Sequence, residues 1–295
     1  MKVSKGMFIL LLSIMTILFG LSFIATKQAL QGLGIFQVIF CRHVLALIFL
    51  TLILGRERHR LYIPRKDLKH FLLLTLVEPV GYFIFETIGV RYSTPSNVSI
   101  IIATIPIFSL LFAWWILREK THWPAVAGIS FSLLGVYLVV AAAAKSEFAP
   151  HPLLGNLFTV GASISAGLYN VLCRRLGQTY SPWTITYYQS LVASVVFLPL
   201  AVAEYLLIPD IQVTGEVFFS ILYLALGSSL VAYLLLNYSL SKLPTQQVAI
   251  FANLVPVVTV LASWIFYKEF LETRQLIGAM LVILGIYLTY LRLKR

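Results

Sequence analysis

Glu78, Tyr82 and Glu86 are spaced by four inside one apolar run. On a helix each step of four drifts only about 40°, so the three would form one polar stripe carrying two carboxylates and a phenol. A carboxylate in hydrocarbon is costly and faces a cavity or a partner, so this stripe can receive an ammonium by charge and cation–π attraction, or hold a proton. Arg42, inside another apolar run, and Lys27, at the end of the first, bring the opposite charge. Two uses of these cations stay open: static ion pairs with Glu86 that hold the fold, or a seat for a carboxylate. The second, beside an ammonium site, would suit a zwitterion such as an amino acid.

Catalytic patterns are missing. The chain has no HExxH, no GxSxG, no Walker loop and no convincing pair of catalytic carboxylates. Cys41 and Cys173 lie in or at the end of apolar runs, far from any metal-binding spacing, and are read as packing residues. His43, beside Arg42, is read as a packing histidine rather than a proton relay. No catalytic residue, metal or cofactor is assigned.

The elements that must position the stripe follow from hydropathy. Of the residues, 60% are hydrophobic and 11% charged, against roughly 25% charged in soluble domains. Apolar windows bounded by charge, Pro or Gly predict ten spans: 7–26, 36–54, 68–90, 95–117, 123–143, 153–173, 183–205, 217–240, 245–267 and 275–291. The first follows Lys2 and Lys5 but is too long for a signal-peptide core and lacks a clear cleavage site, so it is read as a retained helix. A net charge of +11 could point to nucleic acid, but the basic residues sit in short loops, which points to a bilayer instead. With the N-terminus inside, sixteen Lys and Arg fall on the cytoplasmic side, including Arg56, Arg58, Arg60, Arg118 and Lys120, and five outside: Lys27, Arg91, Lys145, Lys268 and Arg274. Both termini are therefore expected in the cytoplasm.

The chain also repeats itself. At an offset of 150, Val98, Ile100, Pro106, Leu111, Trp114, Glu119, Gly128, Leu134, Gly135, Tyr137 and Leu138 meet the same residue types at Val248, Ile250, Pro256, Leu261, Trp264, Glu269, Gly278, Leu284, Gly285, Tyr287 and Leu288. Nearby offsets pair Tyr82 with Tyr233, Glu86 with Asn237, Lys27 with Arg174 and Arg42 with Gln189. Five spans is an odd number, so the second copy enters the membrane from the opposite side. The expected fold is an all-α membrane protein of ten transmembrane helices in two inverted five-helix repeats, 1–143 and 153–291.

The doubled set of Pro, Trp, Glu and Gly, with Phe19, Gly20, Lys27 and Arg42, resembles the EamA-type domain of the drug/metabolite transporter superfamily. Phe19 departs from the Trp common there. The resemblance covers nearly the whole chain and implies ten helices, cytoplasmic termini and export or exchange of amino acids, amines or related metabolites.

The reading is a secondary, non-ATP transporter of a small metabolite, most simply an amino acid or amine exporter of the cell membrane, whose repeats alternate access. Membrane-embedded enzyme, channel and receptor are the alternatives; an enzyme would need a catalytic set that is missing here, and a channel or receptor does not require an inverted duplication. Substrate contacts are assigned to Glu86, Glu78, Tyr82, Arg42, Lys27, Asn237, Tyr233 and Gln189. Pro106 and Pro256, each near the centre of a span, would free the carbonyls of Ile102 and Ala252 and act as hinges. Gly128, Ser132 and Gly135, with Gly278 and Gly285, form small faces for close helix packing, with a homodimer contact among their possible uses. Trp114, Trp115, Trp123, Trp183 and Trp264 cluster near span ends as interfacial anchors.

Overall fold

The computed structural model describes residues 5–55, 61–117, 123–142, 146, 148–207, 211–243, 248, 251 and 254–290. Lys2, Arg56, Arg58, Arg60, Arg118, Glu119, Lys120, Lys145, Ile250 and Ala252, invoked above, lie outside the described residues, as do Arg292, Lys294 and Arg295, which belong to the sixteen basic residues expected on the cytoplasmic side, and the side chain of Trp123. The described residues form α1 (Lys5–Ala29), α2 (Ile35–Leu54), α3 (Leu68–Thr75), α4 (Tyr82–Tyr92), α5 (Pro95–Ile102), α6 (Ile105–Leu117) and α7 (Trp123–Ala141). There follow α8 (Pro152–Leu176), α9 (Pro182–Leu207), α10 (Gly215–Tyr223), α11 (Tyr233–Lys242), α12 (Val255–Tyr267) and α13 (Thr273–Tyr290). Among the described residues, seven rods are long and apolar enough to cross a membrane: Gly6–Ala29, Ile35–Leu54, Arg65–Tyr92, Pro95–Ile116, Pro152–Leu176, Pro182–Leu207 and Gly215–Lys242. Shorter apolar stretches lie at Ala127–Ala141, Val255–Tyr267 and Thr273–Gly285. The molecule is a multi-pass membrane protein, all-helical among the described residues.

Expected spans depart from continuous helix at three places. The span at 68–90 is interrupted by a widened turn, Leu76–Gly81, in which Glu78 has φ −150° and ψ 116°. Pro79 explains this locally, because a residue preceding proline is driven out of the α region and the ring nitrogen cannot donate. A second widened turn, Leu224–Ala232, joins α10 to α11. Tyr82 N donates to Val77 O and Tyr233 N to Ser228 O, the five-residue spacing of a π-turn, and both pairs match at an offset of 151. Such turns concentrate at functional sites. The third departure is at 95–117, which is two helices joined at Ala103 and Thr104.

Small residues set the closest approaches. A Cβ on Gly135 would stand 2.5 Å from Gly278 O, and one on Gly278 would stand 2.7 Å from Gly135 O. One on Gly285 would collide with Gly128 O and Ser132 Oγ. The small face of α7 thus packs against α13 of the same chain, with Ser132 Oγ donating to Val282 O at 3.1 Å. Elsewhere a Cβ on Gly20 of α1 would lie 2.6 Å from Val258 Cβ on α12, and one on Gly167 of α8 would lie 2.5 Å from Phe108 Cβ on α6. Glu204 on α9 accepts from Ile35 N (2.8 Å), Phe36 N (2.8 Å) and Gln37 N (3.0 Å), meeting the unpaired donors at the start of α2 with a negative charge. Trp114, Trp115, Trp183 and Trp264 lie on the outside, as anchors would.

Candidate functional site

The helix breaks converge on a cavity of about 90 Å³. At roughly 10–15 Å³ for each water it has room for several waters or a small polar ligand. Its lining includes Phe19 and Phe23 of α1, Arg42 of α2, Glu78, Tyr82, Phe83 and Glu86, Asn170 of α8, Ser228, and Tyr233 of α11. Ile105 and Val255, the residues just before Pro106 and Pro256, line it as well.

Arg42 is fully buried, and its surroundings explain how a guanidinium is tolerated there. Nε donates to Ser229 Oγ at 2.9 Å, Nη2 donates to Ser228 Oγ at 2.8 Å, and Cζ lies 4.4 Å from the centre of the Phe83 ring. Two of the five N–H donors of a guanidinium are thereby used, leaving three for a ligand or water. Among the described residues no carboxylate oxygen lies within 4.0 Å of Arg42. Glu86 is buried on the same cavity and accepts from Thr87 Oγ1 at 3.1 Å. A static Arg42–Glu86 bridge is therefore absent: the two charges face one cavity without closing on each other.

Glu78 reaches the cavity in spite of the break between it and Tyr82. The two do not share a regular helical stripe; the widened turn re-aims the carboxylate. Its Oε1 accepts from the Tyr233 hydroxyl, while Oε2 has no partner among the described residues. Tyr233 packs edge-on to Phe19 at 5.4 Å, so its ring and hydroxyl are both fixed.

Three of the proposed contact residues sit elsewhere. The Lys27 ammonium donates to Val90 O at 2.8 Å, Arg91 O at 3.2 Å, Ser93 O at 3.0 Å and the carbonyl of Phe148. It caps the end of α4, where a cation meets the free carbonyls and the negative helix terminus, and it does not line the cavity. Asn237 donates to Thr186 Oγ1 (3.0 Å) and Gln189 Oε1 (3.1 Å) and accepts from the Tyr169 hydroxyl and from Cys173 Sγ (3.3 Å). Asn237 and Gln189 thus bond to each other within a polar knot of α8, α9 and α11, with the asparagine's donors and acceptor engaged. His43 is buried edge-on to Phe83 at 4.8 Å, and neither ring nitrogen has a partner among the described residues.

The prolines stand in the first turns of helices. Pro106 is the second residue of α6 and Pro256 the second of α12. In a first turn the missing N–H costs nothing, since that donor has no intrahelical partner. Sequence reasoning missed Ser228 and Ser229, the anchors of Arg42. The signal was present, because at an offset of 151 Ser229 falls on Glu78 and Ser228 on Val77.

A sequence profile of the EamA-like transporter family matches residues 6–141 and again 153–291. The chain belongs to this family. It is 31% identical to the uncharacterized transporter YcxC of Bacillus subtilis (strain 168) over 277 residues, 90% of this chain and 87% of that one. An uncharacterized transporter of Archaeoglobus fulgidus is 26% identical over 280 residues, 95% and 96% of the two chains. A protein of Streptantibioticus cattleyicolor described as "Probable terminal-alkyne amino-acid exporter" is 24% identical over 289 residues, 98% and 94%. A solved crystal structure with 18% identity superposes at a TM-score of 0.70 over 98% of each chain, which shows a shared fold.

Proposed function

We propose that this family member is a gradient-driven, non-ATP transporter that exports a small metabolite bearing an amino group, an amino acid or amine, across the cell membrane. The observation that carries the reading is the cavity in which Glu86 and Arg42 are both buried and not paired with each other. Such an arrangement keeps an acceptor for an ammonium and donors for a carboxylate available, and Tyr82 and Tyr233 supply aromatic walls. Export of an amino acid is the role described for the Streptantibioticus relative.

The mechanism is alternating access between two inverted five-helix halves, 1–143 and 153–291, of a ten-helix protein with both termini in the cytoplasm. Matched contacts support it. Gly135 against Gly278 is repeated as Gly285 against Gly128, and Gly20 against Val258 as Gly167 against Phe108, each residue replaced by its repeat partner. Two-fold-related halves can exchange conformations around a fixed central site. Pro106 and Pro256, at the cavity ends of α6 and α12, are the places where the half-helices swing.

The test is counterflow in liposomes containing the purified protein, loaded with unlabelled alanine or lysine and given the labelled compound outside. Wild type accumulates label, whereas Glu86→Gln, which removes the charge and nearly keeps the shape, loses flux at unchanged expression and thermal stability. Normal flux with reduced stability would make Glu86 a structural group and remove it from the pathway.

A further inference from the structure

A second cavity lies away from the central one, where the last turns of α1 and α12 meet the first turn of α10. It is an open groove of about 790 Å³, against about 90 Å³ for the central cavity, and its walls include Leu21, Gln28, Glu216, Phe219, Phe266 and Tyr267. Leu21 and Gln28 on α1 are seven residues apart, as are Glu216 and Tyr223 on α10, so the groove runs about 10 Å along both helices. Gln28 Nε2 donates to Glu216 Oε2 across the mouth, and the Tyr223 hydroxyl donates to Leu18 O at 2.8 Å at the deep end. Between these ends the walls are mostly apolar, and Phe219 and Phe266 are 68% and 67% exposed on apolar helices, where the bilayer's hydrocarbon is the solvent.

The mouth has used its donors and kept an acceptor. Both N–H groups of the Gln28 amide are engaged, one on Glu216 Oε2 and one on Gln31 Oε1 at 3.2 Å, and its Oε1 accepts from the Tyr267 hydroxyl at 3.2 Å. Among the described residues Glu216 Oε1 accepts no hydrogen bond, and no Lys or Arg nitrogen lies within 4.0 Å of this carboxylate. Glu216 stands in the first turn of α10, where the helix terminus favours its negative charge. The groove thus carries an uncompensated negative charge at the lip of an apolar trough. Ser220, the remaining side-chain hydroxyl on its walls, lies one turn deeper on the same face of α10, about 5–6 Å from Glu216 between Cβ atoms.

We propose that this groove binds a membrane phospholipid whose headgroup bears a primary ammonium, with the ammonium on Glu216, the phosphate at Ser220 and an acyl chain along Leu21, Phe219 and Phe266. A primary ammonium brings three N–H donors to the free acceptor and cancels the charge at the lip. A quaternary ammonium has no N–H to give, and an anionic headgroup meets repulsion from the carboxylate. A free amine would fill the mouth and leave the apolar trough empty, whereas a phospholipid matches both parts in the order in which the groove presents them. The site is separate from the central cavity and goes beyond the transport reading, on which it does not depend.

The experiment is native mass spectrometry of the full-length protein released from detergent micelles, with phosphatidylethanolamine, phosphatidylcholine and phosphatidylglycerol of identical acyl chains offered in equal amounts. The ethanolamine lipid is expected to be retained over the other two by about two- to fivefold, the range that one exposed ion pair supplies. Glu216→Gln is expected to lower it to the level of the choline lipid, and Glu216→Asp, which keeps the charge, to preserve the preference. An ethanolamine lipid with a diazirine on one acyl chain, photolysed on the wild-type protein, is expected to label peptides of α1, α10 and α12. This arm needs no variant, so a misfolded Glu216→Gln leaves the question decidable. Equal retention of the three lipids, undiminished preference in folded Glu216→Gln, or labelling confined to other helices overturns the proposal. Displacement of the lipid by free ethanolamine would assign the mouth to a soluble amine, and a dimer that shields the groove peptides from label would seat a second copy there; either result also overturns it.

Discussion

Replacing Lys27 by Met separates a substrate contact from a structural cap. The methionine keeps most of the apolar stem and removes the charge and all three donors. In the folded protein that ammonium is shared among the carbonyls of Val90, Arg91, Ser93 and Phe148, and it is buried. Hydrogen bonds to a charged group contribute roughly 1.5–3 kcal/mol each, and the lower desolvation cost of methionine offsets part of that sum, leaving a net loss of about 2–4 kcal/mol. The loss is local to the end of α4 and to Phe148, so α4 should fray where it leads into α5. The assay is unfolding in detergent micelles followed by tryptophan fluorescence, paired with substrate affinity measured on the folded fraction. Lys27→Met should unfold earlier and bind normally once folded, and Lys27→Arg should recover part of the stability by keeping the charge. Wild-type stability with lost affinity would refute the argument and return Lys27 to the substrate pathway.

Gly278→Val should abolish stable folding, because even a Cβ there meets Gly135 O at 2.7 Å and Val139 Cγ2 at 2.8 Å; fluorescence-detected size exclusion that shows a normal monodisperse peak would contradict this packing. Pro106→Ala and Pro256→Ala should insert and fold like wild type while slowing counterflow, and unchanged flux in both would assign these prolines to helix initiation alone. In a Cys41→Ser, Cys173→Ser background, Tyr62→Cys and Phe270→Cys, at positions 75% and 74% exposed, should react with a membrane-impermeant maleimide from the cytoplasmic and the outer side respectively. Reaction of both from one side would defeat the inverted-repeat reading.

Composition and local pattern were enough for the helical membrane class and most helix positions, because hydrocarbon forces backbone hydrogen bonds inside each segment and apolar length marks where segments lie. Repeat arithmetic paired Gly135 with Gly285, Gly128 with Gly278 and Tyr82 with Tyr233, residues that make like contacts in the structure, since chemistry at fixed offsets survives without knowledge of distance. Arg42, Glu78, Tyr82, Glu86 and Tyr233, which line one cavity, were legible as candidates for a related reason: polar groups are costly in lipid, so each needs a destination. Which destination was decided only by tertiary structure. Lys27 and Glu86 look alike as isolated charges in apolar runs, yet the ammonium ends on backbone carbonyls while the carboxylate faces a cavity, because α4 ends beside one and opens on that space beside the other. Gln189 and Asn237 find each other across α9 and α11, and Ser228 and Ser229 find Arg42 across more than 180 residues of chain. Those pairings depend on how helices turn about their axes when packed, a quantity set by glycine contacts and widened turns at a distance and written in no single window of sequence.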